Sequence, residues 1–513
     1  MQIRIQNFRS LKDTGFIDIK PITILVGKNS SGKSSFLRTF PMLKQSVEEN
    51  TRTPLLFYGR YVDFGSFKDI KPSFGTEEEK YILSFKLDIS HRFIRVFRPR
   101  IFFMQKKLAE IFINSSVLFS VNFEEDKNLI HPSHYHIEFL NNKIDLSLDF
   151  KKKKVLKIIV NDNVIDLKDQ IRFIEKGELI PAFYSDENKD FFITNSLERY
   201  IEKRIMEFIK KFNRKNTSVW TIEEIASNID INDFINSLIK ESYPKTWVKN
   251  VKKWIDSNDD KLLELKELYM LNILFSILLP SLNEALKIIF KNSSYIAPLR
   301  ATAERFYRIQ HLAVNEVDPN GKNLPFFLDS LTKIQMTNFQ TWTQENFGFK
   351  VDISKSEGHY SIKIVQNNQE INLSDMGFGY SQILPIIVQL WYSSSGYEFR
   401  HKGERIKEKI IVIEQPELHL HPEFQSKFAE VLVKIIKYSK EIKLIIETHS
   451  DTLINRLGDC IAYNKLDPND VNIIIFNKDD KTSITKIEKA NFNKDGDLEN
   501  WPLGFFLASD IGC

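Results

Sequence analysis

The 513-residue chain is longer than a single hydrophobic core usually grows, so either one split core carrying insertions or two domains is expected. Its 72 basic and 68 acidic side chains leave a formal charge of +4, too little for a global field that would by itself imply nucleic-acid binding. The only cysteines, Cys460 and Cys513, exclude a disulfide framework and a four-cysteine zinc site, and they fit a reducing cytoplasm.

The opening MQIRIQNFRSLKDTGFIDIK alternates apolar and polar residues and lacks the continuous apolar run of a signal peptide. Ile3, Ile5 and Phe8, then Phe16, Ile17 and Ile19, read as short strands, and PITILVG (21–27) as a compact apolar strand ending in glycine. A helix is expected from Lys33. Residues 81–167 stay strand-like, as in YILSFKLDI, HYHIEFL and KVLKIIVNDNVIDL, which predicts an antiparallel layer. From 168 to 294 the spacing turns helical, as in SLERYIEKRIMEFIKKF and DDKLLELKELYMLNILFSILL, and predicts a helical insertion. Its most apolar window, Leu268–Leu282, contains Asn272 and Pro280 and falls short of the ~20 residues that span hydrocarbon, so a buried helix is expected and no membrane contact. From 295 to 513 strands and helices alternate again, with KIIVIEQ and IKLIIETHS reading as buried parallel strands.

Four segments carry chemistry. Gly27-Lys28-Asn29-Ser30-Ser31-Gly32-Lys33-Ser34 fits the eight-position phosphate-loop pattern between an apolar strand and a helix. Its glycines let backbone N–H groups point inward, Lys33 reaches toward terminal phosphates, and the Ser34 hydroxyl suits Mg²⁺, with Ser35 a weaker candidate. Lys409–Glu417 (KIIVIEQPE) delivers carboxylates to a strand's C-terminal edge, where open α/β sheets bind ligands, so Glu414 is a candidate metal ligand. LIIETHS (444–450) ends a second apolar strand in a polar cluster and directs attention to His449. Upstream, NLSDMGFGYSQ (372–382) places glycines and hydroxyls before an apolar segment in which Pro385 suits a helix's first turn, an arrangement compatible with phosphate.

Together NFRSLKD, GKNSSGKSS, NLSDMGFGYSQ, IIVIEQPELHLHP and IIETHS resemble the ABC-class ATPases related to the OLD (overcoming lysogenisation defect) and RecF/SMC-like proteins, over residues 1–70 and 295–513. YIAPLRATAERFY, YVDFGSFKDI and the terminal WPLGFF further resemble the bacterial OLD-like subgroup often encoded in phage-defence cassettes. The resemblance implies an α/β fold, an ABC-type ATPase head of mixed sheet core plus antiparallel β layer, with a helical insertion. It implies ATP and Mg²⁺ as cofactors, Gly27–Ser34 as the Walker A loop, Glu414 at the Walker B metal position and His449 as the switch histidine. It also implies that Ser374, Gly377 and Gly379 belong to a signature segment capping the γ-phosphate of the opposite subunit, so that one site needs two chains.

The chain departs from that pattern at Gln415, where a catalytic glutamate usually follows the metal carboxylate; an amide takes no proton from water, so either Glu417 acts as base or turnover is slow. His421 stands where that class has an aspartate, and His419 with His421 lacks a third ligand nearby in sequence. The stretch after Ser450 is too short for the metal-dependent nuclease domain that many OLD relatives append. The leading expectation is therefore a nucleotide-gated cytoplasmic subunit of a bacterial anti-phage system, homodimeric or larger through its ATP site, with a separately encoded nuclease or toxin as effector, in the image of Septu and PARIS ATPases. The alternative is a RecF/SMC-like repair or clamping ATPase for which DNA is a partner, with KKKKVLK (151–157), RIMEFIKKFNRK (204–215) and KTWVKNVKKW (245–254) as candidate phosphate contacts. Arg300, Arg305 and Arg9 are further candidates for phosphate or partner contact.

Overall fold

The computed structural model describes residues 1–72, 74, 80–89, 115–165, 170–185, 196–231, 233–310, 314, 316–397 and 408–502. By its contacts the chain divides into two compact units: residues 1–6, 46–56 and 76–288, and residues 7–45, 57–75 and 289–513.

The first unit holds an antiparallel sheet. Its strands run in space from Ala182–Ser185 through Ile171–Ile174, Lys154–Val160, Asn142–Asp149, Leu129–Phe139, Ser115–Asp126 and Tyr81–Ile89 to the N-terminal strand, which pairs through Gln2–Gln6. Alternation in the sequence explains the pairing: Ile3 and Ile5 are fully buried between partly exposed neighbours, as are Val117, Phe119 and Val121 two strands away in the same sheet. Among the described residues after 167, IRFI (171–174) and AFYS (182–185) extend the sheet, and the first α-helix is the one that opens at Ser196, later than the spacing suggests. WPLGFF falls mostly outside the described residues, which reach only Trp501 and Pro502 of it.

Among the described residues one helical run, Asp260–Lys291, is long and apolar enough to cross a membrane by length and composition. It passes without a break through Asn272 and Pro280, the two residues that interrupt the apolar window in the sequence. A π-helical turn at Leu274–Leu278 shortly precedes the proline, which lacks an N–H to donate. More than half of its apolar window is buried within the protein, and the Tyr269 hydroxyl inside it donates to the Ala226 carbonyl at 2.7 Å.

The second unit is built on a mixed sheet ordered Ser294–Ile296, Lys409–Glu414, Ile442–Glu447, Ile22–Gly27, Val471–Lys478, Thr485–Phe492 and Leu498–Glu499. The first five strands are parallel and the last two pairings antiparallel. Ile22–Gly27 and Lys409–Glu414 are buried at every position, as expected for strands covered on both faces. Ile22, Ile24, Ile411, Ile413, Leu444 and Ile446 belong to one core cluster with residues of the helices Phe378–Ser394, Pro422–Tyr438 and Asp451–Ala462. A separate antiparallel sheet of Tyr307–Arg308, Lys350–Ser356, His359–Gln366 and Gln369–Asn372 precedes the helix Phe378–Ser394. That helix is capped at Gly377, so Pro385 lies in its interior rather than in its first turn.

Within the helix Ser196–Lys211 of the first unit, burial and the nearby Glu198 carboxylate push the Glu202 carboxyl up to about 7. Its Oε1 is buried without a hydrogen-bond partner. A carboxyl raised in the folded state contributes stability below the unfolded pKa and loses it as pH climbs through the folded one. Glu202→Gln therefore raises stability at pH 8 by about 1–2 kcal/mol, discounted for partial exposure, and has no such effect at pH 4. Thermal unfolding at the two pH values measures this, and equal shifts at both would contradict it.

Candidate functional site

The strand Ile22–Gly27 ends with Gly27 at φ +154°, where a side chain would meet the Phe476 carbonyl oxygen at 2.4 Å and Ser31 Oγ at 2.7 Å. The chain curls through Ser30, at φ 59°, and enters the helix Lys33–Glu48. Lys33 is 3% exposed, and its ammonium donates to the carbonyls of Gly27 at 2.9 Å and Lys28 at 2.8 Å. Burial pulls that ammonium below its ordinary value, against the opposing pull of Glu447 and Glu417. Thr485, from the strand Thr485–Phe492, braces the loop by donating to the Ser31 carbonyl at 2.8 Å. An open cavity of about 760 Å³ lies over the loop, lined by Asn29 through Ser35 together with Arg9, Gln415 and Glu447. Arg9 also stacks on Phe64 at 4.8 Å.

The register of two neighbouring parallel strands sets Glu414 directly opposite Glu447, with both side chains at the C-terminal edge of the sheet. Glu414 is 2% exposed and accepts three hydrogen bonds: Arg38 Nε at 2.7 Å, Arg38 Nη2 at 2.8 Å and the Tyr295 hydroxyl at 2.8 Å. Arg38 lies one helical turn beyond Ser34, which brings its guanidinium to the strand end. Glu447, 3% exposed, accepts from the Ser34 hydroxyl at 2.8 Å and lies 3.9 Å from Lys33 Nζ. Burial first, and the adjacent Glu414 second, push the Glu447 carboxyl up to about 7.

Past Glu414 the backbone turns at Gln415, at φ 45°, whose N–H donates to the Glu447 carbonyl at 2.8 Å. Glu417 folds onto the neighbouring turn, accepting from His449 N–H at 2.7 Å and Thr448 Oγ1 at 2.9 Å. Burial raises the Glu417 carboxyl. Partial desolvation, with the Lys33 ammonium, lowers His449, so the imidazole is neutral at neutral pH. Arg300 is buried, donates to the Glu414 carbonyl at 2.7 Å and the Gln415 carbonyl at 3.3 Å, and falls to about 10 through burial.

The structure thus brings Lys33, Ser34, Gln415 and Glu447 to one cavity, with Glu414, Glu417 and His449 on the adjoining strand ends. Ser374, Gly377 and Gly379 line no part of that cavity. Ser374 Oγ turns to Asn372 Oδ1 at 2.9 Å, Gly377 caps the helix Phe378–Ser394, and Gly379 packs against the His419 carbonyl. Arg305 ion-pairs with Asp375 at 2.7 Å beside this turn. His421 caps the helix Pro422–Tyr438, its Nδ1 accepting from Glu423 N–H at 3.3 Å, and the His419 ring meets Phe378 edge-on. Sequence reasoning overlooks Arg38, Tyr295, Thr485 and the role of Glu447. The i+4 spacing of Arg38 from Ser34 is a usable signal, whereas the strand register that selects Glu447 and Tyr295 leaves none.

No three-member cluster of His, Cys, Asp or Glu suited to a metal exists among the described residues. The donors do fit a nucleotide-borne divalent cation, because a hydroxyl and one or two carboxylates beside a phosphate cradle are what magnesium uses when phosphates complete its shell. Strand, glycine loop and helix define a nucleotide-binding ATPase of the phosphate-loop class. The chain belongs to the AAA ATPase domain family, whose description matches residues 1–454. No curated protein matches it. Two solved structures align over 95% of this chain and 97% of their own: the SMC head domain from Thermotoga maritima, at 9% identity and TM-score 0.33, and the recombination mediator protein RecF–ATPrS in the RecFOR pathway, at 11% identity and TM-score 0.27. At scores this low neither likeness carries weight for function.

Arg38 is the main counter-charge to the buried Glu414. Arg38→Ala is expected to destabilise the protein by about 2–3 kcal/mol, below the ~3–5 kcal/mol for breaking a fully buried pair because Arg38 is partly exposed. Urea denaturation checks this, and a loss below ~0.5 kcal/mol would place the pair among surface ion pairs.

Proposed function

We propose that the chain binds ATP with Mg²⁺ over Gly27–Ser34 and hydrolyses it as one half of a two-chain site. The observation that carries this is the buried Lys33, folded onto its own loop carbonyls at the mouth of a cavity edged by Glu447. In this reading the loop amides of Lys28–Ser34 and the Lys33 ammonium hold the terminal phosphates. Magnesium would be held by the Ser34 hydroxyl together with a carboxylate at the strand ends, a role for which motif resemblance selects Glu414. Glu417 serves as general base in place of Gln415; its burial-raised pKa is the direction a base near neutrality needs. His449 faces the γ-phosphate as a neutral imidazole. A second copy supplies Ser374, Gly377 and Gly379. A side chain built at Gly377 would find nothing within 4 Å, which leaves that helix N-terminus open to an incoming phosphate.

Two readings of what the nucleotide gates remain distinct. Control of a separate effector in phage defence rests on the OLD-like motifs alone. DNA clamping has one structural observation in its favour: a groove in the first unit whose lining includes the exposed Lys245, Lys249, Lys252 and Lys253. Binding to duplex DNA that weakens steeply between about 50 and 200 mM salt, and that a quadruple Lys→Ala variant loses, supports clamping. Salt-independent or absent binding counts against it.

Light scattering with and without ATP and Mg²⁺ tests the core of the proposal. The wild type is expected to associate on adding both. Lys33→Ala should lose nucleotide binding and association together, and Glu417→Gln should associate but turn over at least ~100-fold more slowly. Nucleotide affinity unchanged in Lys33→Ala would refute the loop assignment, and unchanged turnover in Glu417→Gln would remove the base.

A further inference from the structure

The register places two carboxylates at one sheet edge, but their surroundings differ. Both Glu414 oxygens are already taken, by a two-pronged Arg38 contact and by the Tyr295 hydroxyl, and Glu414 does not line the cavity over the loop. Glu447 does line it. Its one short partner is the Ser34 hydroxyl, at 2.8 and 3.1 Å from its two oxygens, and the Lys33 ammonium stands off at 3.9 Å. A carboxylate that faces a phosphate cradle, touches the loop serine and keeps lone pairs unused is suited to a hard cation.

We infer that Glu447, rather than Glu414, is the carboxylate that receives the nucleotide-bound divalent cation beside Ser34, while Glu414 is a positioning residue held in an Arg38–Tyr295 clamp that fixes the neighbouring strand end. The inference rests on the proposed ATP site. The clamp also has a mechanical logic. Moving Glu414 onto a cation would strip three hydrogen bonds from a buried carboxylate and leave Arg38 without its partner, whereas Glu447 needs only to exchange the Ser34 hydrogen for the metal.

The test is Mn²⁺ binding, read from the free-ion electron paramagnetic resonance signal, with a non-hydrolysable ATP analogue and the full chain. Glu447→Gln should weaken Mn²⁺ binding at least ~10-fold while leaving analogue affinity in EDTA unchanged or tighter, since one negative charge near the phosphates is gone. Glu447→Asp should fall between Glu447→Gln and the wild type. Glu414→Gln should hold Mn²⁺ within about threefold of wild type and show a lowered melting temperature, from the broken clamp. The reverse pattern, with Glu414→Gln losing the ion and Glu447→Gln keeping it, overturns the inference. If Glu447→Gln does not fold, Glu447→Asp and Glu414→Gln decide it: Mn²⁺ held as tightly as in the wild type by Glu447→Asp, together with weakened binding in Glu414→Gln, has the same overturning force. Failure of the wild type to bind the analogue at all would instead strike the ATP site itself.

Discussion

Everything at the candidate site follows from one register: in a parallel pair of buried strands, Glu414 stands opposite Glu447. Two carboxylates at the same depth in a low-dielectric edge repel each other, and neither is solvated. The protein resolves the conflict asymmetrically. Glu414 receives a guanidinium and a phenol, whereas Glu447 receives only a hydroxyl and a distant ammonium, and its affinity for a proton rises accordingly. The same edge carries the loop that begins at Gly27, because the strand Ile22–Gly27 pairs directly with the strand of Glu447. Glu447, left without a close counter-charge, therefore sits beside a cradle of backbone amides and the Lys33 ammonium.

Much of this is legible in the sequence. The all-apolar ITILV and KIIVI runs announce strands covered on both faces, the glycine-serine loop announces the turn into a helix, and the alternation in YILSFKLDI and HYHIEFL announces an antiparallel layer. Those signals are local, set by period and by the backbone freedom of glycine. What stays hidden is non-local. The strand order that puts Ile442–Glu447 between the loop strand and the Glu414 strand decides which glutamate faces Ser34, and no spacing along the chain encodes it. The same is true of Tyr295, far from Glu414 in sequence, and of Thr485, which reaches the loop from near the other end of the chain.

Two departures from expectation have local causes. Periodicity puts the change to helical character too early because IRFI and AFYS are four-residue strands, too brief for period alone to identify. Pro385 suggests a helix start, yet Gly377, at φ 85°, caps the helix sooner, and the surrounding core, in which Ile383, Leu384, Ile386 and Ile387 are buried, holds the helix through the missing hydrogen bond. In both cases tertiary packing overrides a local cue.

The central claim is that triphosphate and cation meet at the Gly27 loop beside the paired strand ends. The most direct measurement is a crystal of the protein grown with an ATP analogue and Mn²⁺, with the ion located by its anomalous scattering. The account predicts a peak adjoining Ser34 Oγ with the phosphates over the amides of residues 28–34. Nucleotide bound elsewhere, or an ion remote from both Glu447 and Glu414, would contradict it.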